Sequence, residues 1–337
     1  MACQNLVDEF GRTIKYLRMS VTDRCDLRCN YCMGEAMQFM PRRELLDLDE
    51  LVQVADAFIA RGVNKIRLTG GEPLVRAVTL PLIDELGTRL GTRAGEPGLD
   101  ELTMTTNATN LARHATRIAA AGVKRLNVSL DTRDAEKFRA LTNRDMLDRV
   151  LAGIDAALDA GIRIKLNTVA LADTNREEIP ELTAWAHGKG MDITFIEVMP
   201  LGDIVAERSD QFLSLETVRQ DLEARYTLNA SSHVSGGPAR YWDVPETGGR
   251  IGFISPISHN FCASCNRVRV TAKGELFPCL GHGELTDLRA AVRGDAPQSA
   301  LDVALDRAMK TKPERHHFQI AKGAQPTLAR HMSVTGG

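Results

Sequence analysis

Three cysteines crowd into the run Thr22-Asp23-Arg24-Cys25-Asp26-Leu27-Arg28-Cys29-Asn30-Tyr31-Cys32, spaced C-x3-C-x2-C. Soft thiolates suit iron–sulfur sites, and three of them can hold three irons of a [4Fe–4S] cluster. A cluster built only to carry electrons wants a fourth protein ligand. The next cysteine along the chain is Cys262, so one iron is left open. An open iron can bind a substrate, which turns an electron carrier into a catalyst.

A second incomplete set lies near the other end. Cys262-Ala263-Ser264-Cys265 is followed by Cys279, giving C-x2-C-x13-C. Two sets of three suggest two clusters, each with an exposed iron. The alternative for the second set is zinc, since C-x2-C often seeds a zinc site and His259 or His282 could supply the fourth ligand. Cys3 stands apart near the terminus and reads as a bystander. Arg267 and Arg269 alternate just after Cys265, so on an extended segment both face one side, and arginine forks suit phosphate oxygens. Arg18 and Lys165 sit among apolar neighbours, where simple solvation of a charge is uncomfortable.

These groups need elements to position them. Apolar periodicity predicts strands over 16–21, 65–69, 101–105, 125–129, 163–170 and 192–196, alternating with helices over 48–61, 79–90, 111–121, 146–160 and 176–189. Such alternation implies a mainly parallel sheet, either open and twisted or curled into a partial barrel; periodicity alone leaves both open. Parallel α/β folds bind ligands at the carboxyl ends of their strands. The first triad, Gly70-Gly71-Glu72, Thr105-Thr106-Asn107, Ser129 and Met199 all fall there. Residues 231–249 turn rich in Gly, Ser, Pro and Thr and read as a connection, with helices beyond over 285–293 and 300–309. This predicts two domains, 9–230 and 231–337.

Composition sets bounds. The chain has 337 residues, 43% hydrophobic and 26% charged, with a formal net charge of −2. That is ordinary for a soluble globular protein and provides no global attraction to nucleic acid or anionic membrane. No apolar run approaches the length of a membrane span, and the first residues hold no secretory core. Clustered cysteines in such a chain favour a reducing cytoplasm and metal ligation over disulfides.

Longer motifs carry a resemblance. Leu17-Arg18-Met19-Ser20-Val21-Thr22-Asp23-Arg24-Cys25, Ile66-Arg67-Leu68-Thr69-Gly70-Gly71-Glu72-Pro73-Leu74 and Asn127-Val128-Ser129-Leu130-Asp131 match one family closely. So do Phe261-Cys262-Ala263-Ser264-Cys265-Asn266-Arg267-Val268-Arg269-Val270-Thr271 and Gly336-Gly337. Nearly end to end, the chain resembles the GTP 3′,8-cyclase family of radical S-adenosylmethionine enzymes, which opens molybdenum cofactor biosynthesis. The resemblance implies a partial (β/α)6 TIM-like barrel with a smaller C-terminal domain carrying the second cluster. It implies two [4Fe–4S] clusters on Cys25, Cys29 and Cys32 and on Cys262, Cys265 and Cys279, with S-adenosylmethionine on the first. Tyr31, Gly71, Ser129 and Met199 would line S-adenosylmethionine. Arg18, Arg67, Thr105, Lys165, Arg267, Val268 and Arg269 would bind GTP, and Arg267, Arg269, Gly336 and Gly337 would serve catalysis.

The implied reaction abstracts hydrogen from ribose C3′ and joins C3′ to C8 of guanine, giving (8S)-3′,8-cyclo-7,8-dihydroguanosine 5′-triphosphate. The implied partners are GTP, an external one-electron reductant and a downstream cyclic pyranopterin monophosphate synthase, with no nucleic acid or membrane and a monomer or homodimer in the cytoplasm. Gly34, Ala36, Ala108 and Thr194 depart from the family pattern, the last where an arginine is usual. Two rival readings are another radical enzyme acting on a peptide or different nucleotide, and a non-catalytic zinc or iron–sulfur interaction module.

Overall fold

The computed structural model describes residues 5–33, 37–91, 97–202, 204 and 207–336. Cys3, Gly34, Ala36 and Gly337 lie outside the described residues. Strands β1 (Tyr16–Ser20), β2 (Lys65–Thr69), β3 (Glu101–Thr106), β4 (Arg125–Ser129), β5 (Arg163–Ala170) and β6 (Asp192–Glu197) pair side by side in sequence order, all parallel. Parallel neighbours require crossovers, and helices supply them: α1 (Leu48–Ala60), α2 (Thr79–Gly87), α3 (Ala115–Ala120), α4 (Ala135–Thr142), α5 (Leu147–Asp159) and α6 (Ile179–Gly188). A capping box between Asp47 and Glu50 starts α1, and its Leu51, Val54, Ala55 and Phe58 are buried at helical spacing.

The later chain adds α7 (Arg208–Gln211), α8 (Leu215–Glu223), β7 (Asn229–Ala230), β8 (Arg240–Val244), β9 (Gly249–Ile254), β10 (Arg267–Val270), β11 (Glu275–Phe277), β12 (Thr286–Asp287), α9 (Leu288–Val292), α10 (Pro297–Lys310) and α11 (Met332–Thr335). It does not build a separate sheet. β10 joins β1 in parallel and β9 joins β6 in parallel, so both edges of the six-strand array are prolonged by the same segment. Hairpin partners β11–β12 and β8–β7 continue outward. The result is a partial (β/α)6 barrel with extended edges.

Some expectations need correcting. The segment 231–249 contains β8, whose Tyr241 and Trp242 were masked by the turn residues beside them. A helix at Ala135–Thr142 appears between β4 and β5, started by Asp134 and ended by Asn143 at φ 54°. The predicted helix over 285–293 begins only at Leu288, after β12.

All five residues of β1 and of β2 are buried, yet they alternate in polarity. Leu17, Met19, Ile66, Leu68, Leu126, Val128, Ile164 and Leu166 belong to the hydrophobic core shared with the helices. The alternate positions carry Tyr16, Arg18, Lys65, Arg67, Arg125, Asn127 and Lys165. Side chains alternate across a sheet, so this barrel is greased on its helix face and polar in its lumen.

Candidate functional site

Strand register stacks the lumen charges into rows. Arg269, Arg18, Arg67 and Thr103 sit side by side on β10, β1, β2 and β3. Arg267, Tyr16, Lys65 and Glu101 form the adjacent row, and Asn127 pairs Lys165 on β4 and β5. Arg18, Lys65, Arg67 and Lys165 are all buried. Within these rows Glu101 is the one carboxylate, held by Lys65 and Arg125. Burial and mutual repulsion depress these cations: Arg18 and Lys165 fall well below their usual values, and Arg269 falls to about 10. Arg67 Nε is buried with no hydrogen-bond partner among the described residues. Lys165 Nζ donates to the Tyr241 hydroxyl at 3.1 Å, and Lys65 Nζ to Ser235 O at 2.8 Å. A lumen so rich in cations calls for a polyanion.

The first triad stands at the carboxyl end of the barrel. Cys25, Cys29 and Cys32 line one cavity with Tyr31, Gly71, Thr105, Ser129 and Met199. Strand ends from β2 through β6 meet around it, together with the loop that follows β1, which an open flat sheet does not allow. The triad loop is pinned from several sides. Arg28 N donates to Thr142 O and Asn30 N to Leu141 O at the end of α4. Asp26 accepts from Asn107 Nδ2 at 2.7 Å and Thr109 Oγ1 at 2.6 Å in the loop after β3. Burial pushes Cys25 and Cys29 well up and Cys32 to about 11. Thr105 Oγ1 is buried without a hydrogen-bond partner among the described residues.

Gly70-Gly71 has a reason beyond ligand approach. A Cβ on Gly71 would lie 2.3 Å from Arg24 O, and one on Gly70 2.3 Å from Thr22 O. The glycines therefore let the end of β2 press against the triad loop, where Gly71 N donates to Thr22 O and Glu72 N to Arg24 O. Two carboxylates were not singled out from sequence. Glu72 is buried and raised to about 7 although it accepts from Leu74 N, Thr106 Oγ1 and Asn107 N. Asp131, raised by burial to about 6, accepts from the Tyr31 hydroxyl at 2.7 Å.

The second triad occupies the opposite end. Cys265 lies two residues before β10, and β10 runs parallel to β1, so Cys262 and Cys265 stand at the amino end of the barrel. Antiparallel pairing of β10 with β11 brings Cys279 back beside them. Burial would raise Cys265, but Arg267 and Lys312 outweigh it and lower the thiol to about 7. Among the described residues no three His, Cys, Asp or Glu side chains converge on a single metal ion. His282 instead faces Arg315 O at 3.0 Å.

The C-terminal segment bridges the two ends. Arg330 stacks 3.8 Å from the Phe277 ring and donates to Leu280 O and His282 O near the second triad. Met332 and Ser333 line the cavity of the first. Arg269 Nη1 donates to Thr335 O and Gly336 O. Gly336 has φ 75°, and a Cβ there would lie 2.0 Å from Thr69 Oγ1.

The departures from pattern can now be placed. Ala108 keeps the left-handed backbone, φ 64°, that a glycine would favour, so the loop geometry is retained. Thr194 is buried on β6 between Asn167 and Gly252, against Tyr241; a Cβ on Gly252 would lie 2.8 Å from Thr194 Oγ1 and 2.9 Å from the Tyr241 ring.

Residues 19–186 match the model of the radical SAM superfamily and residues 191–318 that of Molybdenum Cofactor Synthesis C. A GTP 3′,8-cyclase of Erythrobacter litoralis is 60% identical over 337 residues, the whole of both chains. This chain belongs to the GTP 3′,8-cyclase family. Another member, from Rhizobium etli, is 54% identical over 333 residues, 98% of this chain and 94% of its own. Among solved structures, Streptococcus suis SuiB bound to S-adenosylmethionine superposes with a TM-score of 0.61 at 15% identity, over 97% of this chain and 79% of SuiB, and shares the fold. Radical SAM membership brings S-adenosylmethionine and a [4Fe–4S] cluster, and the soft three-thiolate donor set opening into the cavity beside Thr105 suits both. No helix is long and apolar enough to cross a membrane among the described residues.

Proposed function

We propose that this chain converts GTP to (8S)-3′,8-cyclo-7,8-dihydroguanosine 5′-triphosphate by radical chemistry, at the entry to molybdenum cofactor biosynthesis. The observation that carries it is the buried cation stack of β10, β1, β2 and β5, held between two cysteine triads at opposite ends of one barrel. A triphosphate satisfies such a stack, and full-length similarity to GTP 3′,8-cyclases supports that choice of nucleotide.

In this reading Cys25, Cys29 and Cys32 hold the first cluster and Cys262, Cys265 and Cys279 a second. Cys25, Cys29 and Cys32 would hold the first cluster beside S-adenosylmethionine, and the pair would supply one-electron reductive cleavage of the sulfonium carbon–sulfur bond. Tyr31, Gly71, Ser129 and Met199 position S-adenosylmethionine, with Asp131 fixing the Tyr31 hydroxyl. Arg18, Arg67, Lys165, Arg267 and Arg269 neutralise the phosphates, Thr105 donates a hydroxyl, and Val268 contributes backbone. Gly336 and Gly337 deliver the C-terminal segment to the reacting centre, anchored through Arg269. The core comprises 9–230 and the second-triad region 231–337, sharing one sheet. An external one-electron reductant and a downstream cyclic pyranopterin monophosphate synthase complete the working context, in the cytoplasm.

The test is anaerobic incubation of the reconstituted protein with GTP, S-adenosylmethionine and dithionite. Expected is a GTP-dependent cyclised triphosphate formed alongside 5′-deoxyadenosine. Cleavage of S-adenosylmethionine with GTP unchanged would overturn the substrate.

A further inference from the structure

Lys312 is 3% exposed, yet no carboxylate pairs with it among the described residues. Its ammonium donates to Pro278 O at 2.8 Å and Arg267 O at 3.1 Å, and lies 3.7 Å from Cys265 Sγ. Pro278 precedes Cys279 directly and Arg267 follows Cys265 by two residues, so one side chain ties together both segments that carry these thiols. The segment bearing Lys312 is itself fixed. Arg12 donates to Pro313 O and Glu314 O at 2.7 Å and to Cys262 O at 2.9 Å, while Asp8 holds its Nε at 2.6 Å.

A buried ammonium without an anion is costly, and carbonyl dipoles relieve only part of that cost. The anions at hand are the thiolates of the second triad. We propose that Lys312 is the counter-charge of the second triad: it holds the Cys265 and Cys279 segments together and raises the reduction potential of the cluster they carry. This rests on the two-cluster reading above. Lys312 is thus a positioning residue, acting through the cysteines and not on GTP. A fixed cation near a cluster favours the reduced, more negative state, and hydrogen bonds to the ligand sulfurs act in the same direction.

The test uses the full chain with Cys25, Cys29 and Cys32 replaced by Ala, so that one cluster remains, and follows its reduction by electron paramagnetic resonance. Iron in the unaltered protein is counted first: about four per chain rather than about eight would overturn the two-cluster reading itself. With that established, Lys312→Met and Lys312→Gln are each expected to lower the reduced-to-oxidised ratio at fixed potential about tenfold, a shift of about 59 mV for one electron. Lys312→Arg should retain most of the ratio. Gln keeps a donor without the charge, so its agreement with Met assigns the effect to charge. Loss of the cluster in Met with retention in Arg would also support the assignment. An unchanged potential in Met and Gln, or cluster loss in Arg as complete as in Met, would overturn it.

Discussion

Lys165 shows how binding and stability oppose each other at a single residue. Burial and the neighbouring cations Arg67, Arg125 and Lys65 hold its folded pKa well below the usual 10.5. Below that folded value both folded and unfolded chains carry the proton, and the full penalty applies. Between it and 10.5 the unfolded chain binds the proton more, so stability rises with pH across that window. In Lys165→Met this rise should disappear, and the ligand-free chain should gain on the order of 1 kcal/mol, read by denaturant melts at several pH values. The same variant should bind inorganic triphosphate about tenfold to a hundredfold more weakly, because a charge-assisted hydrogen bond is lost. Arg267→Ala and Arg269→Ala should each reduce GTP turnover at least about tenfold more than uncoupled S-adenosylmethionine cleavage. Arg269→Ala should be the worse of the two, since Arg269 also anchors Thr335 and Gly336. Parallel loss of both activities would point to a folding or assembly defect.

At the scale of elements, two close approaches decide how the site is held. The end of β2 presses on the first triad loop only because Gly71 has no side chain. Gly71→Ala would force the Arg24 carbonyl away, so iron counting should show loss of the first cluster with the second retained. Retention of both clusters at full occupancy would show that the loop can yield. The C-terminal segment is similar: a methyl on Gly336 collides with Thr69 and strains a positive φ. Gly336→Ala, like deletion of Gly336 and Gly337, should leave cluster content intact, release the segment to proteolysis and abolish cyclisation, while S-adenosylmethionine cleavage partly survives. Near-normal cyclisation would show that the diglycine plays no part.

Over the whole molecule the two triads are separate devices joined by a charged lumen. Replacing Cys25, Cys29 and Cys32 together with Ala should leave one cluster and no S-adenosylmethionine cleavage, because the second triad sits at the other end of the barrel. Undiminished cleavage would sink the radical assignment. Inorganic triphosphate should raise the thermal midpoint of the metal-free protein, and the rise should shrink with added salt, since ligand charge replaces the repulsion stored in the lumen. A salt-independent rise, or none, would argue against the cation stack as the phosphate site.

The chemistry of this protein was written locally. Two cysteine spacings, the glycine pair and the Asn266-Arg267-Val268-Arg269 run are short motifs, and the six strand–helix alternations follow from periodicity, so both survive in one dimension. The lumen was half legible: Tyr16-Leu17-Arg18-Met19-Ser20, Lys65-Ile66-Arg67-Leu68-Thr69, Glu101-Leu102-Thr103-Met104-Thr105 and Arg125-Leu126-Asn127-Val128-Ser129 all alternate polar with apolar, a signal that could have added Lys65, Glu101 and Arg125 to the candidate residues. What the chain could not disclose alone is pairing between distant segments. That β10 joins β1 and β9 joins β6 depends on long-range register, and it alone puts the triads at opposite ends. That Lys312 faces Cys265, 47 residues before it, and that Gly336 lies against Thr69, most of the chain away, depend on tertiary packing. Local propensity and spacing carry no information about such contacts; only the packing of the closed core selects them.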